Sequence, residues 1–229
     1  MSQPGSKTTA PPLRDLSKRR FVLLQGPSSR FFAHLGRALK ARGASVTKIG
    51  FCPGERLFWS GSAGGYLAYR GRMEEFSDWL GETMTRGATT DVVMLGDGRA
   101  PHAAAIQLIK RLGFDVRIWI VEHGYLRPDL ILIEPDGMGG GSTIPQQQVG
   151  QTPASDARTG PRWKGSFFRF AAWDVAYHLR NVIFSKLSYP LYQAHSGIHP
   201  FAEFAGWVRK LARGPCRRKQ LEQTFCQID

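Results

Sequence analysis

Residues 91–102 read D-V-V-M-L-G-D-G-R-A-P-H. Asp91–Leu95 is an apolar run led by an acid, the pattern of a strand entering a buried sheet. Gly96 to His102 is a glycine-rich loop, and Ala103–Leu112 carries helical spacing. The next run, Val116–Val121, is apolar with Arg117 and Trp119 in alternation, and reads as another strand. Strand, loop, helix and strand make a β-loop-α-β unit, so the two strands should be parallel and joined by a right-handed crossover. Neighbouring strand ends lie about 5 Å apart. Asp97, Arg99, His102, Glu122, His123 and Arg127 would then face one crevice at the carboxyl edge of the sheet, where open α/β sheets bind ligands.

The second half of that crevice is V-E-H-G-Y-L-R-P-D-L-I-L-I-E, residues 121–134. Glu122, His123 and Gly124 fall where the strand should end, and Gly124 permits a sharp turn. Arg127-Pro128-Asp129 interrupts the pattern, because proline keeps the preceding residue out of helix. Leu130–Ile133 reads as a short strand closed by Glu134.

Upstream, residues 1–18 are rich in Ser, Pro, Thr and Lys and read as a disordered tail. Arg20–Gln25 is a strand, followed by Gly26-Pro27-Ser28-Ser29, where Ser28 or Ser29 could cap the next helix. Phe32, Leu35 and Leu39 form that helix's apolar stripe, and Gly43 ends it. Ser45–Phe51 is the next strand. This opening is Rossmann-like, yet G-x-G-x-x-G and the P-loop ending G-K-[ST] are both absent. Gly26 and Ser28 are candidate substrate-binding positions on the first loop. Residues 19–134 thus read as one Rossmann-like α/β domain, a parallel sheet with flanking helices.

Downstream, residues 135–163 are low in complexity, with Gly139–Gly141 and Gln146–Gln148, and read as a mobile flap or linker. Residues 164–229 read as a helical extension. Its longest helix candidate is Lys164–Ile183, with Phe168, Ala172, Val175, Leu179 and Val182 at helical spacing, and a second is Phe201–Ala212.

The formal charge of +13 over 229 residues points to a polyanionic partner: nucleic acid, anionic lipid or an anionic sugar nucleotide. Cys52, Cys216 and Cys226 form no C-x-x-C pair and suggest neither a disulfide framework nor a zinc site, which favours a reducing compartment. No apolar run is long enough to span a bilayer, and the apolar core of a signal peptide is missing.

Each candidate has a plainer account beside it. Asp97 between two glycines also suits an ordinary turn, and Glu122 could be a structural partner of Arg99 or Arg127. His102 could be a simple surface position, and His123 a packed core histidine. His195 and His199 share four-residue spacing, but Ser-Gly between them and the following Pro200 break the helix a metal pair would need. No metal site and no Ser-His-Asp order is legible.

Six ordered segments carry a resemblance: F-V-L-L-Q-G-P (21–27), F-F-A-H-L-G-R-A-L-K-A-R-G (31–43), R-L-F-W (56–59), Y-R-G (69–71), L-G-D-G-R-A-P-H (95–102) and E-H-G-Y-L-R-P-D-L-I-L-I-E (122–134). H-P-F-A-E-F-A-G-W-V-R (199–209) adds to them. From about residue 20 onward the chain resembles the KpsS-type capsule polysaccharide biosynthesis and export proteins. The resemblance implies the N-terminal half of a GT-B glycosyltransferase that moves β-Kdo from CMP-Kdo to a lyso-phosphatidylglycerol acceptor, without metal or other cofactor. It implies Glu122, Asp97 and His123 as catalytic candidates, with His123 standing where the family commonly has a second acid. Arg99, His102, Arg127, Gly26 and Ser28 would bind substrate, the arginines meeting the donor's carboxylate and phosphodiester. The implied location is cytoplasmic and peripheral to the inner membrane, with an anionic lipid acceptor, the inner-leaflet surface, a sugar nucleotide and other capsule biosynthesis or export proteins as partners. A GT-B enzyme binds its nucleotide mainly in a second Rossmann-like half, so a chain of this length is expected to transfer Kdo weakly alone. A non-catalytic capsule assembly or export component is the alternative. A basic nucleic-acid-binding module rests on charge alone, since no recognition motif accompanies it, and nucleic acid is not an expected partner.

Overall fold

The computed structural model describes residues 15–123, 131–137, 167–191, 205–206 and 209, with the side chains of residues 123, 167, 168 and 170 excepted. Two compact units divide the chain, residues 1–191 and 192–229. Within the first, strands β1 (Arg20–Leu23), β2 (Ser45–Gly50), β3 (Gly65–Ala68), β4 (Asp91–Leu95), β5 (Arg117–His123) and β6 (Ile131–Pro135) form one sheet in the order β3-β2-β1-β4-β5-β6. All pairings are parallel except β5 with β6, which is antiparallel. This is the α/β, Rossmann-like architecture read from the sequence, with one antiparallel strand added at an edge.

Helix α1 (Phe31–Lys40) links β1 to β2, while α3 (Phe76–Arg86) and α4 (Ala100–Leu112) lead towards β4 and β5. The chain winds away from β1 in opposite directions on its two sides. Right-handed crossovers therefore put α1 on one face and α3 and α4 on the other. Strand alternation supplies both faces. Phe21, Leu23, Val93 and Val121 pack with Phe32 and Ala33 of α1, while Val22, Val92, Met94, Ile118 and Ile120 are buried on the other side. The amino edge is pinned by Asp91, wholly buried, which accepts from Arg19 Nε at 2.6 Å, Thr90 Oγ1 at 2.7 Å and Trp119 Nε1 at 2.9 Å.

Three local readings shift. Leu16, inside the stretch expected to be a disordered tail, packs against the core and donates its N–H to Arg42 O at 2.9 Å. Neither serine caps α1 at its N-cap position, which Arg30 occupies without a side-chain bond. Ser29 Oγ instead accepts the Phe31 N–H at 3.3 Å. Helix α5 (Phe167–Ser188) runs five residues beyond Ile183 and belongs to the α/β unit rather than to a separate extension. It packs on α2 (Pro53–Phe58): Phe58 meets Trp173 and Tyr177, and Asn181 Oδ1 accepts the Gly54 N–H at 2.6 Å. The 135–163 linker and the Phe201–Ala212 helix fall almost wholly outside the described residues.

Candidate functional site

Strand order reverses between β1 and β4, so the loops leaving these two strands flank the sheet's switch point. β4 and β5 stand side by side in register, Leu95 opposite Val121. Gly96 donates its N–H to Val121 O at 3.0 Å, carrying the ladder one residue past β4. It then turns with φ +67°, a conformation glycine adopts without a Cβ penalty. A Cβ at Gly96 would lie 3.4 Å from Glu122 Oε1. The Glu122 carboxylate therefore rests against the backbone of the Gly96–Arg99 loop, on a solvent-exposed side chain. Asp97 and Arg99 are half-buried on the same loop. Arg99 is also the N-cap of α4, with extended backbone and no side-chain cap, and α4 has no acid in its first turn. The amino end of a 13-residue helix thus opens at this edge, adding partial positive charge to that of Arg99.

His102 lies beneath this loop, fully buried. Its Nδ1 stands 2.8 Å from Gly96 O. A carbonyl oxygen only accepts, so Nδ1 carries the proton and Nε2 is left as a bare acceptor. Nε2 is buried without a partner among the described residues. Burial, and after it the charge of Arg99, pushes the imidazole pKa down to about 3, so His102 is neutral near pH 7. The side chain supports the loop from inside rather than projecting into the crevice.

The other expected positions are distributed unevenly. Gly26 gives its N–H to Glu55 Oε1 at 3.2 Å, and Ser28 Oγ donates to Asp174 of α5. Both polar groups are therefore engaged within the protein. His123 ends β5 opposite Ile131. Its side chain, and all of Arg127, lie outside the described residues. Among the described residues no three of His, Cys, Asp and Glu gather as a metal site.

A buried ion pair that sequence patterns did not reveal ties the segments leaving β1 and β2 together. Lys48, 3% exposed, donates to Glu55 Oε1 at 2.5 Å, Leu24 O at 2.9 Å and Ile49 O at 3.1 Å. Glu55 Oε2 accepts the Phe51 N–H at 2.7 Å. Burial pushes the Lys48 pKa down, the Glu55 charge opposes this, and the Arg99 charge adds to the lowering. Lys48, Arg99 and His102 thus feel one another below the same sheet edge. The available signal was a lysine amid the apolar residues of β2, because a buried ammonium needs a partner.

This arrangement offers an acid at a strand end, a second acid on the adjoining loop, and a guanidinium beside a helix amino end. It can hold an anionic group and bring a carboxylate to an electrophilic carbon. A family model described as capsule polysaccharide biosynthesis protein matches residues 90–227, which include β4, α4, β5 and both loops. The chain belongs to the capsule polysaccharide biosynthesis protein family. Within that family it is 28% identical over 220 residues to the capsule polysaccharide export protein KpsS of Escherichia coli, covering 93% of this chain and 55% of that protein. It is 32% identical over 133 residues to the capsule polysaccharide modification protein LipB of Neisseria meningitidis, serogroups A and B, covering 57% of this chain and 31% of the relative. The chain therefore spans about half the length of KpsS and less of LipB. No solved structure matches it significantly.

Proposed function

We propose that the chain contributes the Glu122 and Asp97 side of a transferase that moves β-Kdo from CMP-Kdo to a lyso-phosphatidylglycerol acceptor at the inner face of the cytoplasmic membrane. The observation that carries this reading is the Glu122 carboxylate against the Gly96 loop, beside Arg99 and the amino end of α4. In the proposed sequence, a carboxylate attacks the anomeric carbon as the bond from that carbon to the CMP phosphate oxygen breaks, and CMP leaves with the electron pair. Arg99 and the helix end offset the charge on the donor's anionic groups. The acceptor hydroxyl then attacks the same carbon, gives its proton to the second acid, and releases the first carboxylate. Two displacements retain configuration. Glu122 is assigned the nucleophile and Asp97 the proton acceptor. His102 positions the loop through Gly96, and His123 and Arg127 follow Glu122 in sequence.

The test incubates the purified chain with CMP-Kdo and a lyso-phosphatidylglycerol analogue, alone and mixed with the C-terminal half of E. coli KpsS. CMP release and product mass are followed. Product in either arm, reduced at least about a hundredfold by Glu122→Gln, is the expected result. Product formation indifferent to both Glu122→Gln and Asp97→Asn would remove these acids from the chemistry. No product in either arm, with capsule assembly in cells still dependent on the chain, would replace transfer by a non-catalytic export role.

A further inference from the structure

A cavity of about 310 Å³ lies between α2, β3 and the C-terminal part of α5. Arg56, Arg70 and Arg180 all line it, and no carboxylate does so among the described residues. All three guanidiniums are held over aromatic faces, Arg56 at 4.7 Å from the Tyr66 ring centroid, Arg70 at 5.6 Å from that of Tyr189 and Arg180 at 5.5 Å from that of Phe184. The tyrosines in turn bond to each other, hydroxyl to hydroxyl at 3.2 Å. Arg180 is fixed by its Nε–H, which donates to Pro53 O at 3.1 Å and leaves its terminal amino groups for other partners. None of the three arginines forms an ion pair with a described residue. Glu55, whose charge both tyrosines feel, is neutralised by Lys48.

We infer that this cavity binds a phosphate group, free or esterified, through Arg56, Arg70 and Arg180. Gathering like charges costs free energy unless an anion completes them, and stacking on aromatic rings holds the guanidiniums in place before the anion arrives. Three forks meeting from three elements suit a group with several acceptor oxygens, where a carboxylate offers two in one plane. The volume is at the lower end of ligand sites, roughly 300–1,000 Å³. That is room for a phosphate and a small head group. The site differs from the Glu122 crevice and does not rest on the transfer reading. α2 turns Glu55 towards the β1 loop and Arg56 towards the cavity.

The phosphate could arrive on a lipid or free. Phe184 lines the cavity and is 42% exposed, and Leu187 and Leu191 nearby in sequence are 84% and 48% exposed. An ester carrying an apolar chain would cover this surface as well.

Titration calorimetry of the purified chain with inorganic phosphate, and separately with monomeric dihexanoyl phosphatidylglycerol, tests the site and its source. The key variant is Arg56→Ala/Arg70→Ala, which spares the Arg180 tie to α2, with Arg86→Ala as an off-site control. Thermal melting checks that each variant folds. Losing two charge-assisted contacts should weaken binding at least about tenfold in the double variant and leave Arg86→Ala unchanged. Arginine-dependent binding of the lipid alone assigns the site to a head group, and equal dependence with inorganic phosphate assigns it to the free anion. Absence of binding by both probes, or binding that the folded double variant retains, overturns the inference. The readout is direct binding, so a failed Kdo transfer assay leaves it standing.

Discussion

His102 shows how a single residue is reassigned by its surroundings. In sequence it is a histidine next to Pro101 at a helix start, a position that is usually wet. In the structure it is buried, protonated on Nδ1 towards Gly96 O, and held neutral with its pKa down at about 3 against an ordinary value of 6.5. The unfolded chain therefore binds more protons between these two values, so stability rises with pH across that window. It is fully present above about pH 6.5 and is lost as pH falls towards 3. Linkage gives a loss of about 2 kcal/mol by pH 5 from this group. Urea unfolding at pH 7 and pH 5 should show this slope in the wild type and a flatter one in His102→Gln. An equal slope in both proteins would mean that His102 titrates normally. The Asp97–Glu122 neighbourhood was legible beforehand because one β-loop-α-β unit fixes it from local sequence alone. The Lys48–Glu55 pair was not, since it joins a strand interior to a different element with no periodic pattern to betray it.

At the scale of elements, five of the strands follow from apolar runs bounded by turn residues, but the placement of α5 does not. Its outward row of Val175, Leu179, Ile183 and Leu187 is exposed, while Trp173, Tyr177 and Asn181 face α2. Both faces carry apolar residues, so periodicity marks a helix without saying which side it buries. The choice is made by shape at Gly54. A Cβ there would lie 2.6 Å from Tyr177 Cδ2 and 2.8 Å from Asn181 Oδ1, so only glycine lets the two helices approach. Gly54→Ala should cost about 1–3 kcal/mol through overpacking and speed amide exchange along α5 more than along α1. Unchanged α5 protection would mean that the helix is held chiefly elsewhere, for example by the Ser28–Asp174 bond.

For the whole molecule, the formal charge of +13 has to be reconciled with the absence, among the described residues, of any helix long and apolar enough to cross a membrane. Asp91 and Glu55 are among the few acids and are consumed by buried pairs with Arg19 and Lys48, so they do little to offset surface cations. Arg56, Arg70 and Arg180 are exposed at one cavity beside the apolar row of α5. A surface of this kind should meet an anionic bilayer by charge first and shallow apolar contact second. Each basic side chain near such a surface contributes about 1 kcal/mol, and that attraction decays within a Debye length, about 30 Å at 0.01 M salt and 8 Å at 0.15 M. Co-sedimentation with vesicles containing phosphatidylglycerol should therefore be near complete at low salt and fall steeply as salt rises to physiological strength. Neutral phosphatidylcholine vesicles should pull down little at any salt. Leu187→Ser should weaken the binding that survives at intermediate salt while leaving its salt slope nearly unchanged, because it removes apolar contact and changes no charge. Binding that ignores lipid charge and resists high salt would mean that apolar insertion leads, and that the basic surface serves a soluble anion instead.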